Sequence, residues 1–126
     1  MPDSTVTITE AEAHVMAVLW THSPQSTEDV ALALQGRQDW QLSTIKTLLG
    51  RLLNKAAISA EKDGKRYLYS PVLQRQDWLK TQSLGLLDRW FDGKLTPLVA
   101  HFAAHRRLKP ADIKELQRLL KELERG

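Results

Sequence analysis

The stretch from Leu42 to Ala57 is the feature that most constrains what this chain can fold into. Apolar residues recur there at spacings of three and four, as on one buried face of a helix. They are Ile45, Leu48, Leu49, Leu52 and Leu53. The opposite face carries hydroxyls, an amide, two cations and a glycine, and it carries no acid. The pattern therefore predicts a helix with one face in a core and the other free to meet a partner.

The outer face of this helix, over residues 42–56, suits the major groove of DNA. Lys and Arg donate to guanine, Asn pairs with adenine, and Thr can contact a thymine methyl group. Gly50 disfavours a helix by about 1 kcal/mol relative to Ala, so either close approach to a DNA backbone or a neutral surface position would explain it. The residues of the helix predicted to contact DNA are Ser43, Thr44, Lys46, Thr47, Gly50, Arg51 and Asn54.

The charge distribution also indicates that DNA would bind in the region of this helix. The chain has 126 residues and a net charge of +3, but residues 1–40 contain one base and six acids, whereas residues 41–70 contain six bases and two acids. A polyanion should therefore bind along residues 41–70. The absence of cysteine excludes disulfides and thiolate metal sites, and with no apparent signal peptide or membrane span we expect a cytoplasmic protein.

The order of the elements predicts a winged helix-turn-helix domain over residues 1–71. A capping box at Thr9 begins the first helix and Ser26 caps the second. After the third helix, residues 58–62 and 66–70 alternate like strands, and Asp63-Gly64 favours a type I′ hairpin. Three helices and a hairpin give a mainly α fold with a basic wing. The wing residues predicted to contact phosphates are Lys62, Lys65 and Arg66.

Residues 72–126 are predicted to form a helical dimerisation domain. One helix spans roughly residues 72–91, a second begins at Thr96 or Pro97, and a third has Pro110 in its first turn. Their large apolar residues exceed what a winged helix needs for its own core, so a second copy of the chain is the expected partner. The residues assigned to dimerisation are Leu79, Leu86, Leu87, Trp90, Leu98, Phe102, Ile113, Leu116, Leu120 and Leu123.

The sequence gives little indication of a catalytic or metal-binding site. His101 and His105 stand four residues apart, but no third ligand is evident, so we predict neither a metal site nor a cofactor. No nucleophile elbow or glycine-rich phosphate loop occurs, and we predict that the protein is not an enzyme. Two alternatives to a DNA-binding repressor remain: a winged helix regulated by a small molecule between its domains, and a winged helix that binds proteins without DNA.

Three segments resemble the penicillinase repressor family of bacterial transcription factors. They are Ile-Thr-Glu-Ala-Glu at residues 8–12, Thr-Ile-Lys-Thr-Leu at residues 44–48, and Lys-Arg-Tyr-Leu-Tyr at residues 65–69. The resemblance implies a homodimeric winged-helix repressor that binds a short inverted repeat of double-stranded DNA at a promoter.

Two departures from the family pattern bear on regulation. The copper-responsive branch of the family carries a cysteine-rich metal site near its end, and this chain has no cysteine. In the β-lactamase branch, repression is relieved by a protease linked to a membrane sensor, which cuts just ahead of the phenylalanine that corresponds to Phe102. The resemblance thus implies cleavage between His101 and Phe102, although the family has asparagine where this chain has His101.

Overall fold

A computed structural model describes residues 6–126 of the chain. The described residues form two compact units, which divide between Thr81 and Gln82. The elements are α1 (Glu10–Thr21), α2 (Thr27–Leu34), α3 (Leu42–Asn54), β1 (Ile58–Asp63), β2 (Arg66–Pro71), α4 (Arg75–Trp90), α5 (Leu95–Ala104) and α6 (Pro110–Glu124). The fold is mainly helical with one antiparallel hairpin, which confirms the predicted class.

The core of the first unit lies between α1, α2 and α3. Each helix contributes the apolar face that its sequence period predicts, and the start of β1 closes one end of the core. The buried apolar residues are Ile8, Val15, Met16, Val18, Leu19, Val30, Leu34, Ile45, Leu48, Leu49, Leu52, Ala57 and Ile58.

Both predicted helix starts are confirmed as capping boxes. In α1, Thr9 Oγ1 accepts from the amide of Glu12 at 3.1 Å, and Glu12 Oε1 accepts from the amide of Thr9 at 2.9 Å. In α2, Ser26 and Asp29 exchange the equivalent bonds at 3.1 Å and 3.0 Å. Two otherwise unpaired amides are satisfied at each helix end, which is why these local sequences begin helices so reliably.

The end of α3 differs from the prediction, because the helix stops at Asn54. Ala56 adopts a left-handed φ of 60°, and the amides of Ala56 and Ala57 bond to the carbonyls of Leu53 and Leu52 at 3.0 Å each. This arrangement is a Schellman motif, whose left-handed position is usually glycine. With alanine there, the sequence carries no visible stop signal.

The hairpin is confirmed, but its predicted turn type is wrong. Asp63 pairs with Arg66 as the last pair of the ladder, so the loop consists of Gly64 and Lys65 rather than Asp63 and Gly64. Only Gly64 of these two has a positive φ, at 65°, which is the pattern of a type II′ turn. In the first unit Gln25 adds a one-residue bridge to Tyr69, with N–O distances of 3.0 Å and 2.8 Å.

Residues 72–81, which the sequence analysis placed with the second domain, lie in the first compact unit. The amides of Val72 and Leu73 both donate to the carbonyl of Ala57, which delays the start of α4 to Arg75. Trp20 then donates from Nε1 to the carbonyl of Leu73 at 2.9 Å, and its ring lies 5.5 Å from that of Trp78. Helix α4 begins in this unit and continues into the second.

The second unit contains the rest of α4 together with α5 and α6. Pro110 occupies the first turn of α6, as predicted, whereas Phe91 lies just beyond α4 instead of within it. No residue from 82 to 126 is fully buried in the single chain. Across residues 6–126, none of the helices is long and apolar enough to cross a membrane.

Replacing Ala56 with glycine should stabilise the protein. A left-handed alanine costs roughly 1–2 kcal/mol, and the greater freedom of glycine in the unfolded chain offsets about 0.4–1 kcal/mol of that gain. We expect Ala56→Gly to raise the free energy of unfolding by about 0.5–1 kcal/mol in urea titrations. The control Ala17→Gly, at an exposed site inside α1, should lower it by about the same amount. A loss of stability in Ala56→Gly would contradict the assigned turn.

Candidate nucleic-acid interface

Helix α3 has one buried face and one exposed face. Ile45, Leu48, Leu49 and Leu52 are buried. The residues predicted to contact DNA are exposed, apart from the half-buried Gly50; they are Ser43, Thr44, Lys46, Thr47, Arg51 and Asn54. Leu53, predicted to be in the core, is 37% exposed. It lies about 40° around the helix beyond Leu49, at the edge of the stripe.

The outward hydroxyl of Thr47 is already committed to one hydrogen bond. Thr47 Oγ1 donates to the carbonyl of Ser43 at 3.0 Å. The methyl group and the remaining acceptor lone pairs are therefore what Thr47 offers to a partner. A methyl contact with thymine, or acceptance from an amino group of a base, fits this arrangement better than donation does.

Gly50 is not required by the fold. A Cβ built at this position meets no atom within 4 Å, and the backbone is ordinary helix. The absence of a side chain therefore relieves no crowding inside the protein. Gly50 instead leaves a shallow gap in the exposed face of α3, between the side chains on either side of it.

The N-terminus of α3 is open, in contrast to those of α1 and α2. Gln41 caps it without a side-chain hydrogen bond, and its first turn contains no acid. The first turns of α1 and α2 each hold two acids and a capping box. Free amides and the positive end of the helix dipole are suited to an anion such as phosphate. The start of α3 is thus electrostatically compatible with a DNA backbone.

The wing cations differ in whether an acidic side chain pairs with them. Arg66 pairs with Asp63 at 3.4 Å, and both side chains are more than half exposed. Hydrogen bonds from Ser26 lower the pKa of Asp29, and the charge of Arg66 contributes to that lowering. Within residues 6–126 no acid pairs with Lys46, Arg51, Lys62 or Lys65. These four residues therefore carry the unneutralised positive charge of α3 and the hairpin.

Sequence reasoning overlooked Tyr67 on the hairpin. Tyr67 is 50% exposed and lies opposite Lys62 in the strand register. A ring beside a free ammonium gives this part of the wing both an apolar and a cationic surface. The alternation of β2 could have identified Tyr67, because it predicts which side chains share a face with Lys62.

Lys55, counted among the bases of residues 41–70, is neutralised. Its Nζ lies 2.5 Å from Oε1 of the buried Glu12. Burial raises the pKa of Glu12, but hydrogen bonds from Lys55 and Thr9 and the charge of Lys55 outweigh it and hold that pKa below its usual value. The resulting stabilisation is present above the unfolded-state pKa and is lost as the pH falls through the folded-state pKa.

The histidine pair in the second unit is a local contact. The rings of His101 and His105 lie 4.4 Å apart, and Nδ1 of His105 is 2.9 Å from the carbonyl of His101. No group of three or more potential metal ligands occurs among residues 6–126. His14, in the first unit, contacts the edge of Trp40 and lies 3.3 Å from Gln38.

The residues predicted for dimerisation are all incompletely covered in the single chain. Trp90 is 72% exposed and Leu123 is 76% exposed. Leu86, Phe102, Ile113 and Leu120 are also exposed, and Leu79, Leu87, Leu98 and Leu116 are half-buried. Isolated apolar residues on a surface are ordinary, whereas a set of this size is a candidate interaction surface.

Comparison with known proteins gives concordant results. The chain is 34% identical over 115 residues to the penicillinase repressor of Bacillus licheniformis, covering 91% of this chain and 90% of that protein. The solution structure of the DNA-binding domain of the repressor BlaI shares 37% identity, with a TM-score of 0.52 over 56% of this chain and 87% of that one.

A second solved structure is the Bacillus licheniformis BlaI monomeric form in complex with the blaP half-operator. It has 37% identity and a TM-score of 0.50, with the same coverage of both chains. These likenesses identify the first unit as a winged helix. The sequence model of the penicillinase repressor family matches residues 8–122. Because that match spans nearly the whole chain, this protein is a member of the penicillinase repressor family.

Proposed function

We propose that this protein is a DNA-binding transcriptional repressor that acts as a homodimer on an inverted-repeat operator. The observation that carries the proposal is the acid-free exposed face of α3, with the unpaired cations Lys46 and Arg51 and an uncapped N-terminus. Family membership supports it, and so does the similarity to a repressor structure solved with its half-operator. A gel-shift with the promoter DNA upstream of its own gene tests the proposal directly.

In this proposal the two parts of the first unit have different tasks. The exposed face of α3 enters the major groove, where Lys46, Arg51 and Asn54 read base edges. Lys62 and Lys65 of the wing contact phosphates, which adds affinity without sequence preference. Arg66 can join them through the guanidinium N–H groups that its contact with Asp63 leaves free, although Asp63 offsets part of its charge.

Dimerisation is assigned to residues 72–126, with residues 1–71 forming the DNA-binding domain. The support is the incomplete burial of the second unit: 45 residues without one fully buried side chain are too few to form a stable core alone. A second copy offers the same apolar faces, so an isologous interface would cover both. Two linked DNA-binding domains can exceed the affinity of one by ~10²–10⁴-fold without any new DNA contact.

The proposal also includes relief of repression by proteolysis. Phe102 is 41% exposed, and His101 beside it is also exposed. Both lie inside α5, so a protease needs local unfolding of that helix to reach the peptide bond. A cut there would separate α6 from the winged helix and thereby remove one apolar face from the dimer. The proposed agent is a protease linked to a membrane sensor.

The salt dependence of binding should separate the tasks of Lys46 and Lys65. Removing a base-reading side chain reduces the favourable free energy of binding to the operator by ~1–3 kcal/mol and changes binding to random DNA little. Removing a phosphate contact weakens binding to both kinds of DNA and reduces the slope of log affinity against log salt by about one. We therefore expect Lys46→Ala to lose mainly operator affinity and Lys65→Ala to lose both. Affinities of the two variants on operator and random duplexes, measured from low to high salt, check this.

A suitable control for these measurements is Lys80→Ala, since Lys80 is exposed on α4 outside the proposed interface. It should leave both affinities close to those of the unmodified protein. If Lys46→Ala behaves like Lys80→Ala, then Lys46 does not read bases.

Gly50→Ala should separate protein stability from DNA affinity. Alanine fits the open space and improves helix propensity by about 1 kcal/mol, so the free energy of unfolding should rise by about that amount. Operator affinity should fall, because the new methyl group occupies the gap where DNA approaches α3. Urea titration and fluorescence anisotropy measure the two effects. Gly85→Ala, on α4, is a control outside the proposed DNA-binding face, where the added methyl group requires only a shift of the flexible Arg89 side chain; it should leave operator affinity unchanged. Unchanged affinity in Gly50→Ala would mean that Gly50 is a neutral surface residue.

A charge in the apolar face of α6 should dissociate the dimer. Leu120 is 57% exposed in the single chain, and a carboxylate at this position would be buried without a partner in the proposed interface. We expect Leu120→Asp to sediment as a monomer at micromolar concentration and to lose most of its operator affinity. Lys114→Gln changes the net charge by the same amount at an exposed position about 120° around α6 from Leu120 and should remain a dimer. A dimeric Leu120→Asp would remove α6 from the interface.

A further inference from the structure

The part of the chain that the structure describes buries one ionisable side chain completely, that of Glu12. Oε1 of Glu12 accepts from the amide of Thr9 at 2.9 Å and from Nζ of Lys55 at 2.5 Å. Oε2 is buried and has no hydrogen-bond partner within residues 6–126. A carboxylate held in this way depends on the nearby ammonium for its charge compensation.

Lys55 joins the end of α3 to two adjoining parts of the chain that lie 43 and 48 positions earlier. It is the residue that caps the C-terminus of α3, and its Nζ donates both to Glu12 in α1 and to the carbonyl of Thr7 at 2.8 Å. A cation at the C-terminus of a helix also interacts favourably with the helix dipole. One ammonium group therefore links the end of α3 to the start of α1 and to the segment before it.

Helix capping alone does not account for a charge at position 12. The reciprocal bond of a capping box is made equally well by glutamine, whose side-chain oxygen can accept from the amide of Thr9. The equivalent acid of α2, Asp29, lies at a helix start without a lysine partner. The negative charge of Glu12 therefore serves the ion pair with Lys55 and not the helix cap.

The pair acts at the end of α3 that carries two of the proposed base-reading residues. Asn54 directly precedes Lys55, and Arg51 lies one helical turn earlier. The buried residues of α3 hold its axis against the core, whereas the pair holds its last turn against α1. Without the pair, small displacements of that turn would change the position of Arg51 and Asn54 relative to Lys46.

We propose that Glu12 is a positioning residue for operator recognition, which acts through Lys55 to hold the last turn of α3 in the orientation that reads bases. This inference rests on the proposed function. Phosphate attraction tolerates a displaced side chain, but paired hydrogen bonds to a base edge do not. The loss of the Glu12 charge should therefore lower the ratio of operator affinity to random-DNA affinity in folded protein.

The test compares full-length Glu12→Gln with the unmodified protein on two duplexes, the operator selected by the unmodified protein from a random library and a random sequence of equal length. Circular dichroism establishes that each sample is folded at the assay temperature. We expect about tenfold weaker operator binding and random-DNA binding within about twofold of the original. An unchanged ratio in folded Glu12→Gln overturns the inference.

Two controls separate positioning from stability. Val18→Ala removes a buried methyl pair of α1 away from the ion pair and should lower the melting temperature while leaving the affinity ratio unchanged. Lys55→Gln should reproduce the lowered ratio, and adding Glu12→Gln to it should cause no further loss, because both changes remove the same ion pair. This second variant also decides the matter if Glu12→Gln fails to fold. Additive losses in the double variant would overturn the inference.

The unmodified protein serves as the reference for the proposed function itself. If it does not prefer any selected sequence over random DNA, then the proposed repressor function fails. If it has that preference and folded Glu12→Gln keeps it in full, only the positioning role of Glu12 fails.

Discussion

The packing of α3 against α1 and α2 is the constraint on which the first unit depends. The buried side chains of Leu48, Leu49 and Leu52 allow α3 one rotation about its axis, since any other would expose leucines and bury charges. That rotation decides which residues point outward. The geometry of the exposed face is therefore set by the core, so a change in one of the buried residues of α3 can alter recognition without touching a partner.

Local rules were sufficient for much of this architecture. The period of α3, the capping boxes at Thr9 and Ser26, and Pro110 at the start of α6 each depend on residues within one or two helical turns. Such signals can be read from one sequence because the interactions they describe are short in range. The exposed face of α3, and with it most of the candidate site, followed from the same period.

The features that could not be predicted from the sequence depend on partners distant in the chain or on an unusual backbone conformation. Lys55 counted as a free base until Glu12, 43 positions earlier, proved to neutralise it. The bridge between Gln25 and Tyr69 likewise joins positions that no local pattern connects. Ala56 ended α3 in a conformation that usually signals itself through glycine. In each case the deciding information lies in the tertiary structure rather than in the neighbouring residues.

The incomplete burial of the second unit links the stability of the protein to its concentration in the cell. Its 45 residues contain no fully buried side chain in the single chain, so in the proposed dimer the order of this part would depend on mass action. Dilution would favour loosened helices as well as separated subunits. Newly made chains at low copy number would then be the most exposed to degradation, and chains above the association threshold would protect one another. Copy number would thus act as a variable of stability, with a threshold that the apolar faces of α4 to α6 determine.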